Sequence, residues 1–433
     1  MGAGVLASRL AECGLAREAS GTLAMSGVSL ATIAAVVGTP AYVYDAAAIR
    51  RRYTALDEAF GELPHRICFA VKANANLAVL HLLEQAGSGA DIVSGGELLR
   101  ALAAGFPADH IVFSGVGKSD EELIAAIAAG VGRINVESLS ELQGLAVLVE
   151  TGVGKCTIGL RINPDVTTDT HPYISTGKGG LKFGIPPDQL SRVLALLDET
   201  PGLRLGGIAM HLGSQLLDIA PYLAGLDQLL VALARVREAG HRPEVLGLGG
   251  GLGIRYRDES TLEPTEWILP LRARLAATGC TIEVEPGRYL VGNAGVLLTR
   301  VLHRKHSGGR EIAIVDAGMN DLLRPALYQA WHEIVSVESG QVASDLLDVV
   351  GPVCETGDFL GLERTLPSVD AGDHLAILGA GAYGFAMSSN YNSRARAAEV
   401  LVENGRWAII RPRERLTDLY RDETADPFAN EQP

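Results

Sequence analysis

The sequence lacks a basic surplus. Its 433 residues carry 37 lysines and arginines against 51 aspartates and glutamates, a formal charge of −14. Nucleic acid and anionic membranes both select basic surface, so neither is expected as a partner. Any anionic ligand must be held by local positive groups. Cysteine is scarce and unpatterned. Cys13, Cys68, Cys156, Cys280 and Cys354 are odd in number and have no CxxC spacing. That argues against a disulfide or zinc framework, so no metal site is expected, and it points to free thiols in a reducing compartment. No apolar run approaches the roughly 20 residues of a membrane span. In MGAGVLASRLAECGLAREAS, Arg9, Glu12, Arg17 and Glu18 interrupt any signal-like apolar core. Leu6 stands where a myristoylation pattern wants Ser or Thr. A cytoplasmic protein is expected. A chain of this length can bury roughly 75% of its unfolded surface, so it needs no staples.

What is present is a rhythm. Short apolar runs starting near Ile67, Ala90, His110, Arg133, Lys155, Leu203, Glu244 and Thr281 alternate with helical patterns such as GELLRALAAG and DEELIAAIAAG. Most of the helical segments end in Gly, and Ser119 and either Ser138 or Ser140 stand where N-caps belong. Eight such units predict a (β/α)8 barrel of TIM type over residues 47–292; the alternative, an open doubly wound sheet, seldom needs so many. After Gly292 the runs VLLTRVLHRK, EIAIVDAG, HLAILGAGAYG and WAIIRPR follow without long helices. They predict a C-terminal β domain, sandwich- or barrel-like, over 293–433. Residues 26–46 contain the strand-like PAYVYD, expected to join that β domain, and residues 1–25 read as an extension.

Barrel chemistry gathers where the strands end. Lys72 ends the first run, in FAVKANAN. A lysine there is ordinarily a solvated charge, but it is also what covalent amine chemistry needs. His211 and Ser214 end the sixth run, Gly249, Gly250 and Gly251 the seventh, and Glu285, Gly287 and Arg288 the eighth. LGLGGGLG lets backbone N–H groups approach a phosphate closely, although Leu252 and Ile254 break the dinucleotide GxGxxG spacing. Tight turns explain many glycine runs; Arg288 close by in EPGR favours phosphate. GVGKS (115–119) resembles the end of a nucleotide loop, but Val112 stands where its first glycine belongs. Glu285 could be an ion-pair partner or a cap. Together, a lysine, a phosphate cradle and an acid suit pyridoxal 5′-phosphate: an amine for the aldehyde, donors for the phosphate and a carboxylate for the pyridine nitrogen. His211 could stack on the ring or be a satisfied core histidine.

FAVKAN, HPYISTG with KFGI, HLGSQ, GGGLG, EPGR, CETGD and GAYGFAMSSNYN occur in this order over residues 40–400. In that order they resemble the pyridoxal-phosphate decarboxylases with the alanine-racemase-type fold. MNDLLRPALYQAWHEI (319–334) is most similar to the members acting on diaminopimelate. The resemblance implies Lys72 as the cofactor-bonding lysine, His211 as the ring-stacking group and Glu285 as the pyridine-nitrogen partner. It implies a phosphate site at Ser214, Gly250, Gly251, Gly287 and Arg288, with Tyr383 close by. It further implies substrate contacts from Arg288, Arg324, Tyr328, Glu355 and Tyr383, and Cys354 as proton donor. The implied reaction is loss of carbon dioxide from meso-diaminopimelate to give L-lysine, the last step of lysine biosynthesis. The implied assembly is a homodimer whose sites receive the Cys354–Glu355 loop from the partner. Physics agrees with the substrate: an arginine fork suits a distal carboxylate and an acid suits its ammonium. Related decarboxylases acting on carboxynorspermidine or a carrier-bound amino acid would differ near Arg324 and Tyr328. An alanine racemase would have no use for Arg324, and a regulatory paralogue should have lost Lys72, Cys354 or the cradle.

Overall fold

Residues 3–166, 177, 180–338 and 344–428 are described by the structure, a computed structural model; HPYIST (171–176) lies outside the described residues. The chain divides into two compact units, Ala46–Ala294 and Met1–Asp45 with Gly295–Pro433.

The first unit is a closed barrel of eight parallel strands. They are His65–Ala70, Gly89–Ile92, Ile111–Phe113, Arg133–Val136, Cys156–Arg161, Leu203–Ala209, Val245–Gly249 and Thr281–Val284. Ile282 lies opposite His65 and shuts the ring. Strands covered on both faces need continuous apolar runs, and Phe69, Ile92, Phe113, Leu160 and Val284 are all fully buried. Three outer helices begin on serine caps. The Oγ atoms of Ser94, Ser119 and Ser138 accept from the N–H groups of Glu97, Glu122 and Glu141, so Ser138 rather than Ser140 is the cap. Glu122 reaches back to the Ser119 N–H and completes a capping box.

TEWILPLRARLAATG has the spacing of one helix but folds as two, Pro264–Ile268 and Arg272–Ala276. Pro270 between them cannot donate to the ladder. The helix Ala46–Phe60 precedes the first strand and packs against Leu77–Gln85 and Pro264–Ile268. It takes the place in the ring left by the eighth strand, which is followed only by Arg288–Val291.

The second unit is built around a nine-stranded sheet. Ala41–Asp45 lies antiparallel to Gly295–Ser307 and parallel to Ala398–Glu403, with Val43 opposite both Val296 and Val400. Ile334–Ser336 pairs with His374–Ile377, which itself pairs with Gly295–Ser307. The sequence sets residues 1–25 apart as an extension, but the described part of that segment contributes to this unit's core. After the helix Ala3–Glu12, strands Leu15–Arg17 and Leu23–Met25 place Cys13, Leu15, Leu23 and Met25 in one buried cluster with Val296, Val335 and Val400. Strands of three residues are too short to print a period-two pattern. Among the described residues no helix is long and apolar enough to cross a membrane.

Candidate active site

Lys72 occupies the single 3-10 turn Val71–Ala73 that follows the first barrel strand. The asparagines after it fix that turn. Asn74 Oδ1 accepts from the Asn76 N–H at 3.1 Å, and Asn76 caps the next helix through Ala78 N–H. The Lys72 ammonium donates to Asp91 Oδ2 at 3.0 Å; the lysine side chain is 36% exposed and the aspartate fully buried. The apolar neighbours of Asp91 in GADIV disguise it in the sequence. A charged residue inside a two-face-buried strand is itself a signal, since aspartate is almost never fully buried unless paired. Close by, burial pushes the Glu97 carboxyl up to about 7, against the pull of the Val93 N–H that it accepts.

Glu285 follows the last strand, and its N–H donates to Gly249 O at 2.9 Å. Burial, then the carboxylates of Asp91 and Glu283, push its carboxyl up to about 8, while Lys72 and Arg161 pull it down. His211 Nδ1 stands 3.9 Å from Glu285 Oε2. The Gly250 N–H donates to that same nitrogen at 3.2 Å, so Nδ1 carries a lone pair. Burial, then the charges of Arg161 and Lys72, hold the imidazole well below its ordinary range. His211 and Glu285 are therefore not an ion pair at neutral pH: the imidazole is neutral, and the carboxyl beside it has its proton affinity raised. Below them Arg133 crosses the barrel interior to Glu283, and Arg161 pairs with Glu137 at 2.9 Å.

The cradle consists of two interlocked loops. Leu216 N–H donates to Gly251 O at 2.8 Å and Gly253 N–H to Leu216 O at 3.0 Å. Gln215 spans both loops, donating to Ile254 O at 2.6 Å and accepting from Ile254 N–H at 3.2 Å. Gly251 has φ +102°, and a Cβ there would lie 2.6 Å from Gly213 O, so neither the conformation nor the space admits a side chain. Arg288, buried, donates from Nη2 to Ser214 Oγ at 2.9 Å and from Nη1 to the Tyr256 hydroxyl at 2.7 Å. Gly287 precedes it at the start of the short helix Arg288–Val291. Lys72, His211, Ser214, Gly250, Gly251, Glu285, Gly287 and Arg288 thus all stand at the C-terminal ends of barrel strands.

The other sequence-marked residues belong to the β unit. Arg324 opens the helix Arg324–Tyr328, is 6% exposed, and donates from Nη1 to His332 Nε2 at 2.8 Å. Tyr328 closes that helix half-buried. Cys354 and Glu355 are exposed on a loop after the strand Ser344–Val350. Asp358, the last residue of CETGD, anchors that loop. Its carboxylate accepts from the Met319 and Val353 N–H groups, both at 2.6 Å. Asn392 accepts from the Cys354 N–H at 2.9 Å, and a hydrogen bond to Glu355 pushes the Tyr391 phenol up. Tyr383 has φ +56°. His332, Asp358 and Asn392 were not singled out individually in the sequence. Among the described residues no cluster of His, Cys, Asp or Glu is placed to hold a metal ion.

A family model described as the pyridoxal-binding domain of pyridoxal-dependent decarboxylases matches residues 46–292. The chain belongs to the pyridoxal-dependent decarboxylases. Within that family it is 47% identical over 408 residues to the diaminopimelate decarboxylase of Pseudomonas fluorescens, covering 94% of this chain and 98% of that one. It is 49% identical over 402 residues to the Pseudomonas aeruginosa protein of the same name, covering 93% and 96%. The solved diaminopimelate decarboxylase of Helicobacter pylori, complexed with L-lysine, superimposes with a TM-score of 0.88 at 38% identity, over 91% of this chain and 98% of that one. The decarboxylase therefore sits in the diaminopimelate branch. Its cofactor is pyridoxal 5′-phosphate, and the donor set at the barrel mouth fits that molecule. One lysine amine suits the aldehyde and one buried carboxyl suits the pyridine nitrogen. A hydroxyl, a guanidinium and glycine-loop N–H groups suit the phosphate.

Proposed function

We propose that the protein removes carbon dioxide from meso-diaminopimelate to give L-lysine, as a cytoplasmic homodimer with pyridoxal 5′-phosphate held at the barrel mouth. The observation that carries the substrate is Arg324, a guanidinium at 6% exposure held by a neutral acceptor. Diaminopimelate has an amino-acid group at each end. The end that does not react presents a carboxylate, which a guanidinium fork recognises. Glu355 takes the ammonium beside it, with Tyr328 and Tyr383 completing the substrate contacts.

When bound, pyridoxal phosphate supplies an electron sink for the electron pair left behind as carbon dioxide departs. The residues around it are assigned as follows. Ser214, Gly250, Gly251, Gly287 and Arg288 hold the phosphate. Lys72 would hold the aldehyde, and Asp91, 3.0 Å from its amine, would stabilise that amine as an ammonium whenever it is free. Glu285, with its proton affinity raised, would hold the pyridine nitrogen through a shared proton. His211, held neutral, would lie against the ring without adding charge. One carbon–carbon bond breaks, and Cys354 gives its thiol proton to the carbon that lost the carboxylate. Cys354 and Glu355 are exposed on the single chain. A proton donor works in a water-excluded site, which supports donation of this loop to a partner's site.

Carbon dioxide release from meso-diaminopimelate, L-lysine, L-ornithine and L-arginine tests the reading, with diaminopimelate the one substrate turned over. The others have one carboxylate, and placing it at the reacting end leaves none for Arg324. Breaking a buried pair costs on the order of 3–5 kcal/mol, roughly a hundredfold to several thousandfold in rate. Arg324→Met should lose activity to that extent and keep the cofactor's visible absorption. Near-normal turnover by Arg324→Met, or preference for a substrate without a distal carboxylate, would overturn the assignment.

A further inference from the structure

We infer that His332 is a positioning residue that aims the Arg324 guanidinium at the substrate's distal carboxylate, and so takes part in substrate choice. The inference rests on the reading of Arg324 given above. His332 is fully buried, and its two ring nitrogens are both committed. Nδ1 lies 2.8 Å from Leu378 O. A carbonyl oxygen can only accept, so Nδ1 carries the hydrogen. Nε2 then carries the lone pair, and it accepts from Arg324 Nη1 at 2.8 Å. The tautomer follows from the backbone, and it is the one that can receive an arginine.

The ring is anchored on a sheet. His332 leads into the strand Ile334–Ser336 and Leu378 follows the strand His374–Ile377; the two strands pair with Ile334 opposite Ile377. The Leu378 N–H donates to Glu333 O at 2.8 Å and ties the two ends together. Arg324, in contrast, starts a helix of only five residues whose chain turns at Gln329 with φ +52°. So short a helix gives little hold on a side chain with four rotatable bonds, and the sheet-anchored imidazole supplies it. The chemical type matters as well. An aspartate or glutamate in this place would neutralise the guanidinium and compete with the substrate for it. A neutral imidazole takes one of five N–H donors and brings no negative charge of its own.

Two substitutions separate the roles of the two nitrogens in the pyridoxal-loaded enzyme. His332→Asn keeps a donor for Leu378 O and removes the acceptor for Arg324. His332→Gln places an amide oxygen at the depth of Nε2. L-Lysine keeps the carboxylate-bearing end that diaminopimelate does not react through; 1,5-diaminopentane has no carboxylate. Their dissociation constants can be read from the cofactor's visible spectrum. His332→Asn should raise the dissociation constant of L-lysine and the KM for diaminopimelate about tenfold, the scale of leaving one long side chain to be ordered on binding, with kcat falling less than threefold. Binding of 1,5-diaminopentane should not change, and His332→Gln should recover most of the loss. If Arg324→Met weakens lysine binding and His332→Asn does not, the inference is wrong and the reading of Arg324 stands. If neither weakens it, both fall. Equal weakening for lysine and 1,5-diaminopentane would mean general disruption and would overturn the positioning role.

Discussion

Glu285 holds its proton to an unusually high pH, and that makes the cofactor-free protein sensitive to alkali. An unfolded glutamate titrates at 4.5, whereas burial and the carboxylates of Asp91 and Glu283 raise the folded value to about 8. The folded chain binds this proton more tightly than the unfolded chain does. Below 4.5 both states are protonated and nothing is gained or lost. Between 4.5 and 8 stability falls as pH rises, and above 8 the whole loss is present. At about 1.36 kcal/mol per pH unit the ceiling is about 5 kcal/mol. Glu285→Gln keeps the shape and cannot ionise, so it removes the loss. For a unit the size of Ala46–Ala294 each kcal/mol moves Tm by roughly 2–4 °C. Cofactor-stripped wild type and Glu285→Gln should melt together near pH 4.5, and the variant should lead by roughly 4–8 °C at pH 6 and roughly 10–20 °C at pH 9. Scanning calorimetry at several pH values gives the comparison. A difference in Tm that stays constant from pH 6 to pH 9 would refute the reasoning, because it would mean that the carboxyl does not titrate in this window.

Borohydride reduction of the loaded enzyme should fix the cofactor on the tryptic peptide containing Lys72, and Lys72→Ala should abolish both the labelling and turnover. Mixing inactive Lys72→Ala with inactive Cys354→Ala should restore activity as subunits exchange, because one site of the mixed dimer receives both intact groups; mixtures that exchange and remain at the parental background would exclude a shared site. Asp358→Ala should lower kcat by tenfold or more and leave the visible spectrum intact. It removes the acceptor for the Met319 and Val353 N–H groups under the Cys354 loop, and stopped-flow measurement of the protonation step would locate the loss.

The barrel could be read from the sequence because each of its strands is a short apolar run bracketed by helix signals that act locally. The run placed near His110 begins at Ile111, and the one near Lys155 begins at Cys156. The strand ends therefore came with it, and Lys72, His211, Glu285 and Arg288 stand on them. The misses share a cause. Ala46–Phe60 carries Arg50, Arg51 and Arg52 in a row on a half-exposed helix, which blurs its apolar face. His332 gains its meaning from Leu378, 46 residues away, and Asp358 from Met319, 39 residues away. Asp91 is explained only by Lys72 across a neighbouring strand. Nothing within a few residues of these positions records such a partner.

The strand Ala41–Asp45 has a consequence for how the protein is made. It lies between Gly295–Ser307 and Ala398–Glu403, and Tyr44 donates its hydroxyl hydrogen to Glu399, 355 residues later. A ribosome adding roughly 5–20 residues per second emits this strand about twenty seconds to a minute before that partner exists. The barrel, encoded without interruption by Ala46–Ala294, can close during that interval. The strand waits with both hydrogen-bonding edges bare until Gly295–Ser307 is made, and with one edge bare from then until Ala398–Glu403 follows; such edges are templates for wrong pairing. Nascent chains stalled or truncated before Ala398 should therefore carry a finished barrel and an unfinished, aggregation-prone sheet. The vulnerable stage in the life of this enzyme is its synthesis, when one five-residue segment depends on a partner made 355 residues later.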